Sequence, residues 1–183
     1  MKCNPDIHHR RCNRLKDYDY AQDGAYFVTI CTWQRECLFG EIVNGEMVVS
    51  DLGSITSAVW TGLSNHYRHV ELDAFVIMPN HVHGLIVLSG EQTEETGSNQ
   101  GRVKNPPLRK AIRHGLPEII RGFKTFSSRR INERRDNPGC PVWQRDYYDR
   151  IIRNQNELTR AGHYIVNNPL QWECDREHPA KST

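Results

Sequence analysis

Along the first half of the chain apolar positions come in short runs, and along the second they return every three or four residues. Ala25–Trp33 (AYFVTICTW) is β-branched and aromatic and predicts a strand. Leu38–Ser50 holds two apolar runs around Asn44-Gly45. Both residues of an Asn-Gly pair tolerate positive φ, so this stretch predicts a hairpin. From Asp51 to Tyr67 the period lengthens, with Leu52, Ile55, Val59 and Leu63 on one stripe, which predicts a helix with Asp51 as its N-cap. Val70–Met78 and His81–Leu88 predict two more strands joined by Pro79-Asn80. Residues 89–107 are polar, contain Gly and Pro and show no apolar period, as expected of a long flexible loop. Beyond it, Pro117–Arg135 predicts a helix, Val142–Ile152 an extended segment and Asn154–Asn168 a last helix. Asn154 and Glu157 have the spacing of a capping box, and Pro169 ends that helix. Antiparallel strands with helices packed on them make an α+β chain, and this order suits a ferredoxin-like (RRM-like) sheet with additions.

Length adds that 183 residues form one domain, or one domain with a sizeable insertion. Hydrophobic residues make up 37% of the chain and the mean hydropathy is −0.70. No apolar run approaches the ~20 residues that a membrane-spanning helix needs, and Met1–Asp6 leads into no signal peptide. The expected compartment is therefore the cytoplasm. Six cysteines at irregular spacing, with no Cys-x-x-Cys pair, argue against a disulfide framework. Cys3, His8, His9 and Cys12 carry zinc-type donors without zinc-type pairing and read as part of a polar tail.

Charge changes the picture more. The chain is only +2 overall, yet residues 102–135 hold eleven Lys or Arg against Glu118 and Glu133. An imbalance of that size is too one-sided for internal pairing and points to a polyanion, with nucleic acid as the first candidate. The phosphate-contacting candidates are Arg109, Lys110, Arg113, Arg121, Lys124, Arg129 and Arg130, joined by Arg10, Arg11 and Arg14 near the N-terminus.

Two patterns carry chemistry. In a strand, His81 and His83 point to one face and set two imidazoles side by side, as two ligands of a divalent metal would lie. Such a pair also occurs for purely structural reasons, but apolar strands on both sides place this one inside the sheet. On the last helix, Tyr164 and Asn168 are one turn apart at the margin of the apolar stripe Leu158, Ala161, Ile165. Alone, a tyrosine there reads as a packing residue.

Taken together, the stretches Arg14-Leu15 with Tyr18–Tyr20, GAYFVTICT (24–32), ECLFGE (36–41), VELDAFVIMPNHVHG (70–84), VWQRDYYDRIIR (142–153) and YIVNNPLQW (164–172) resemble the single-tyrosine HUH transposases. Within that family they are most like the REP-associated tyrosine transposases. The likeness spans about residues 10–172 and is most specific in 75–84 and 164–169. It implies a ferredoxin-like catalytic domain over 21–172, between a basic tail (1–20) and a C-terminal tail (173–183). It implies His81 and His83 as the metal-ligating HUH pair, Asn168 as third ligand, Mg²⁺ or Mn²⁺ as the metal, and Tyr164 as the nucleophile. Tyr67, Tyr147 and Tyr148 are rivals for the nucleophile; Tyr147 and Tyr148 rank below Tyr164, since they fall in an extended segment and lack a polar ligand partner one helical turn on. The implied activity is cleavage and rejoining of single-stranded DNA beside hairpins or repeats through a 5′-phosphotyrosine, by a nucleoid-associated monomer or homodimer. A domesticated hairpin binder that does not cut, and an HUH relaxase or replication initiator, are the alternatives; the short chain disfavours the latter.

Overall fold

The computed structural model describes residue 15, residues 17–90 and residues 113–181. Six strands and four helices follow in the order β1 (Gly24–Cys31), β2 (Gly40–Val43), β3 (Glu46–Val49), α1 (Asp51–Thr61), α2 (Leu63–His66), β4 (Val70–Met78), β5 (His81–Leu88), α3 (Leu116–Arg134), β6 (Tyr148–Ile152) and α4 (Gln155–Asn167). Short 3-10 turns at Trp33–Arg35, Pro169–Cys174 and Pro179–Lys181 complete the described chain. The main sheet is antiparallel throughout, in the order β4-β5-β1-β6. Counting only its own strands this is second-third-first-fourth, the ferredoxin-like order. The β2–β3 hairpin forms a separate two-stranded sheet. Among the described residues no helix is long and apolar enough to cross a membrane.

Several expectations need adjusting. Trp33 leaves the strand and opens a 3-10 turn, because β1 stops at Cys31. Asp51 is the first helical residue of α1 rather than its cap. Ser50 is the N-cap: its hydroxyl accepts from Gly53 N (3.1 Å) while donating to Leu38 O (2.9 Å). The helix expected to reach Tyr67 breaks at Gly62 into α1 and α2. Of the extended stretch 142–152, only Tyr148–Ile152 joins the sheet, Trp143 making an isolated bridge to Thr32. The Asn44-Gly45 hairpin forms with both residues at positive φ (53° and 80°), the geometry that recommends the pair.

Period-2 alternation gives the sheet two unlike faces. Tyr26, Val28 and Ile30 of β1 and Val82, Ile86 and Leu88 of β5 join Leu116, Ile119, Ile120 and Phe123 of α3 and Trp60 of α1 in one buried core. Trp60 lies flat on β5 at Gly84, where an added Cβ would stand 2.2 Å from the indole. Phe75 stacks on Trp60 at 6.0 Å and Phe123 meets it edge-on at 5.3 Å. The opposite face carries Phe27, Thr29, His81, His83 and Leu85 and is covered by α4, whose Ile165 is fully buried.

Candidate metal and tyrosine site

The Pro79-Asn80 turn fixes the start of β5. Phe39 N donates to Pro79 O (3.0 Å), and both Thr32 N (2.8 Å) and Thr32 Oγ1 (2.9 Å) donate to Asn80 O. With both carbonyls satisfied, the strand leaves the turn at one angle and sets His81 opposite Cys31 and His83 opposite Thr29. Both imidazoles are buried, their ring centroids 4.4 Å apart. His83 Nδ1 lies 2.8 Å from Thr29 Oγ1, and its ring forms a triangle of contacts with Phe27 (5.3 Å) and Tyr164 (5.2 Å).

Helix α4 brings the second half of the site. Asn154 caps it by accepting from Glu157 N (2.9 Å), and Glu157 reaches back to Arg153 N (3.2 Å), one residue before the position a capping box uses. The register this sets points Tyr164 and Asn168 at the histidines. Tyr164 is 42% exposed, but its hydroxyl reaches inward, 3.4 Å from His83 Nε2 and 3.4 Å from Asp175 Oδ2.

Asp175 was not singled out in the sequence. The stretch after Trp172, which the pattern leaves as a tail, turns back over the sheet through Pro169–Cys174 and buries this carboxylate. Asp175 Oδ1 accepts from Glu177 N (2.6 Å) and Oδ2 from Asn168 Nδ2 (2.9 Å). Its Oδ2 stands 4.0 Å from His83 Nε2. One ligand atom from each of His81, His83 and Asp175 lies within 4.8 Å of the other two. No local period marks Asp175, because a 3-10 turn past a helix-ending proline has no fixed phase against the sheet. The only sequence signal was an acid within reach of Asn168.

The donor set fits a divalent cation. Two buried atoms here have no hydrogen-bond partner, His81 Nε2 and Asn168 Oδ1. Buried polar atoms are rarely left so unless an ion or water belongs beside them. Both are lone-pair donors, and with His83 Nε2 and Asp175 Oδ2 they form a mixed nitrogen and oxygen set, which suits Mn²⁺ and also admits Mg²⁺. The electrostatics agree. Burial, with His83 alongside, holds His81 well below the ordinary imidazole range, so it is neutral at pH 7. Burial raises the Asp175 carboxyl, but the His83 imidazole, the Glu177 amide and Asn168 outweigh it and hold the group well below the usual carboxylate range. Burial and the Asp175 charge push the Tyr164 phenol up to about 12. Without a cation, then, the site holds an anionic carboxylate and a protonated phenol.

A cleft of about 650 Å³ opens from this centre between β6 and α4. Its walls include Phe27, Tyr148, Arg150, Arg160, Tyr164 and Asp175. Those of the basic residues read from the sequence that are described lie elsewhere. Helix α3 packs on the core face of the sheet, away from His81 and His83. Within it Lys124 Nζ donates to the carbonyls of Gln144 (2.9 Å), Arg145 (3.2 Å) and Asp146 (2.9 Å), and Arg129 pairs with Glu133 (2.9 Å). Arg113 pairs with Asp23, and Arg121 and Arg130 are exposed on α3. Arg109, Lys110, Arg10, Arg11 and Arg14 lie outside the described residues, as do Cys3, His8, His9 and Cys12. Of the rival tyrosines, Tyr67 packs in the core on the α3 side, Tyr147 lies beside Lys124, and Tyr148 lines the cleft half-exposed.

No protein-family model matches the chain. An uncharacterized protein of Haemophilus influenzae (strain ATCC 51907 / DSM 11121 / KW20 / Rd) is 40% identical over 179 residues, covering 96% of both chains. Among solved structures, a REP-associated tyrosine transposase bound to a REP hairpin superimposes with a TM-score of 0.55 at 15% identity, over 86% of this chain and 73% of that one. That likeness is one of fold.

Proposed function

The chain belongs to one family with the uncharacterized Haemophilus influenzae protein, and from that premise we propose that it is a metal-dependent transesterase acting on single-stranded DNA next to hairpins, with Tyr164 as nucleophile. One observation carries the reading. The Tyr164 hydroxyl reaches a buried centre of two imidazoles, a carboxylate and an amide, in which two lone pairs are unpartnered. A packing tyrosine needs no such neighbours. The fold shared with a hairpin-bound transposase supports the same substrate class.

His81, His83 and Asp175 would hold the cation, with Asn168 supplying a further oxygen or steering Asp175 through their 2.9 Å hydrogen bond. The bound cation supplies Lewis-acid polarisation and orientation of a phosphate oxygen. The remaining chemistry belongs to the chain. Phe27 and His83 flank the Tyr164 ring and hold its oxygen at the mouth of the cleft. Asp175 Oδ2 accepts the phenol hydrogen and gives the proton a direction in which to leave. Attack by Tyr164 Oη forms the Oη–P bond and breaks P–O3′: the fragment 3′ of the cut stays on the tyrosine through its 5′-phosphate, and the fragment 5′ of the cut leaves with a free 3′-hydroxyl, its O3′ taking up a proton to balance the one the phenol loses. One phosphodiester replaces another, so the step reverses without an external energy source. An extended strand fits the cleft, where Arg150 and Arg160 meet phosphates and Tyr148 stacks on a base.

The test is a covalent-adduct assay with labelled hairpin oligonucleotides bearing single-stranded flanks, drawn from repeats around the gene, with Mn²⁺ or Mg²⁺. Wild type should give a denaturant-stable protein–DNA band that vanishes with EDTA and in Tyr164→Phe. Metal-dependent cleavage that persists in Tyr164→Phe without an adduct would replace the reading with hydrolysis by activated water. Tight hairpin binding by both proteins with neither cleavage nor adduct would replace it with a binding role.

A further inference from the structure

Asn80 is fully buried in the turn before β5, and its amide touches three segments far apart in the chain. Nδ2 donates to Arg35 O (3.2 Å) in the 3-10 turn after β1 and to Glu177 O (2.8 Å) in the C-terminal segment. Oδ1 lies 2.8 Å from His81 Nδ1. Carbonyl oxygens only accept, so both Nδ2 hydrogens are committed and the amide has one orientation. Its oxygen therefore faces His81, and that contact is a hydrogen bond only if Nδ1 carries the ring hydrogen. The other tautomer would set two lone pairs against each other at 2.8 Å and bury an undonated N–H at Nε2. His83 is under no such constraint, because the Thr29 hydroxyl beside its Nδ1 donates or accepts equally well.

We propose that Asn80 is a positioning residue that fixes His81 in the Nδ1–H tautomer and presents a bare Nε2 lone pair to the cation. A ligating imidazole commonly donates its second nitrogen to such a partner, and losing the partner typically weakens metal binding about 10–100-fold. The inference rests on the metal-site reading for the purpose of the lone pair; the tautomer stands on the hydrogen bonds alone.

Two-bond proton–nitrogen correlation spectra of metal-free protein at pH 7.5 read the tautomer directly, and Mn²⁺ titration followed by electron paramagnetic resonance reads the affinity. Wild type should show Nδ1–H at His81. Asn80→Ala should show Nε2–H and bind Mn²⁺ about 10–100-fold more weakly. Asn80→Asp keeps an acceptor at the ring, but its second oxygen meets the Arg35 and Glu177 carbonyls with no hydrogen between them, so a folded Asn80→Asp should be less stable yet keep Nδ1–H. An Nε2–H signal in wild type would overturn the proposal. So would an Asn80→Ala protein that retains Nδ1–H and binds Mn²⁺ within threefold of wild type. Should Asn80→Ala fail to fold by circular dichroism, a folded Asn80→Asp that has lost Nδ1–H overturns it instead. No DNA enters these measurements, so a wild type with the Nδ1–H tautomer and Mn²⁺ affinity but no covalent adduct would sink the transesterase reading and leave this one standing.

Discussion

Replacing Gly84 with alanine tests the link between the core and the site. The new Cβ would stand 2.2 Å from Trp60 Cζ2 and 2.7 Å from Cη2, where carbon atoms ordinarily rest about 3.5–4.0 Å apart. The indole would have to retreat by more than about 1 Å. Phe75 on its face and Phe123 at its edge bar that retreat, and Trp60 is wholly buried. The cost should sit at the top of the usual overpacking range, about 3 kcal/mol. In a domain of this size each kcal/mol moves Tm by about 2–4 °C, so thermal unfolding should fall by about 6–12 °C. Adding Trp60→Phe removes the offending ring atoms, and the double variant should be more stable than the sum of the single losses by at least about 1 kcal/mol. Because His83 is the neighbour of Gly84 on β5 and points the other way, Gly84→Ala should also weaken Mn²⁺ binding. A Gly84→Ala protein within about 0.5 kcal/mol of wild type, or strictly additive losses in the cycle, would refute the packing argument.

Other outcomes follow from single contacts. Asp175→Asn should cost about 1–3 kcal/mol in metal-free protein at pH 7, since the carboxylate collects hydrogen bonds in a buried site. The folded carboxyl lies below its ordinary range, so its stabilisation is present at neutral pH and lost as pH falls through that range and below. The gap between the urea midpoints of wild type and variant should therefore be full at pH 7, begin to narrow below about pH 4 and still be open at pH 3. Ser50→Ala should lower stability by about 1 kcal/mol and Asp51→Ala by less, which urea unfolding distinguishes because only Ser50 caps α1. Burial, with Glu177 alongside, pushes the Cys31 thiol up to about 12, so peptide mapping after alkylation at pH 8 should find Cys31 unmodified in folded protein and exposed Cys174 modified.

The strands, both long helices and the Asn-Gly hairpin were legible because each advertises itself within ten to twenty residues, by period or by turn chemistry. The His81–His83 pair was legible for the same reason: a period of two needs no tertiary information. What escaped depends on distance. The choice between Ser50 and Asp51 as cap turns on which side chain faces Gly53 N, and neighbouring cap-type residues look alike in a string. The basic run 102–135 was legible as charge but not as placement. Period 3.6 says that α3 buries Ile119, Ile120 and Phe123, but not on which side of the sheet, and it lies on the side away from His83.

That placement constrains how DNA would meet the protein. The sheet separates the α3 arginines from the cleft, so one short single strand cannot touch Arg121 or Arg130 and Tyr164 by running straight across a face. A hairpin bound with its stem near α3 and its single-stranded flank in the cleft would have to wrap an edge of the sheet. The β6 edge is the nearer one: of the two edge strands, β4 and β6, it is β6 that supplies Tyr148 and Arg150 to the cleft. The site's own charge points the same way. Asp175 is anionic and Tyr164 protonated without a cation, so a phosphate entering the bare site meets repulsion. Affinity for the strand at the centre should come with the metal, while stem affinity is free to be metal-independent. Binding measured with and without Mn²⁺, on hairpins with and without the flank, separates the two contributions: the metal should strengthen binding only when the flank is present.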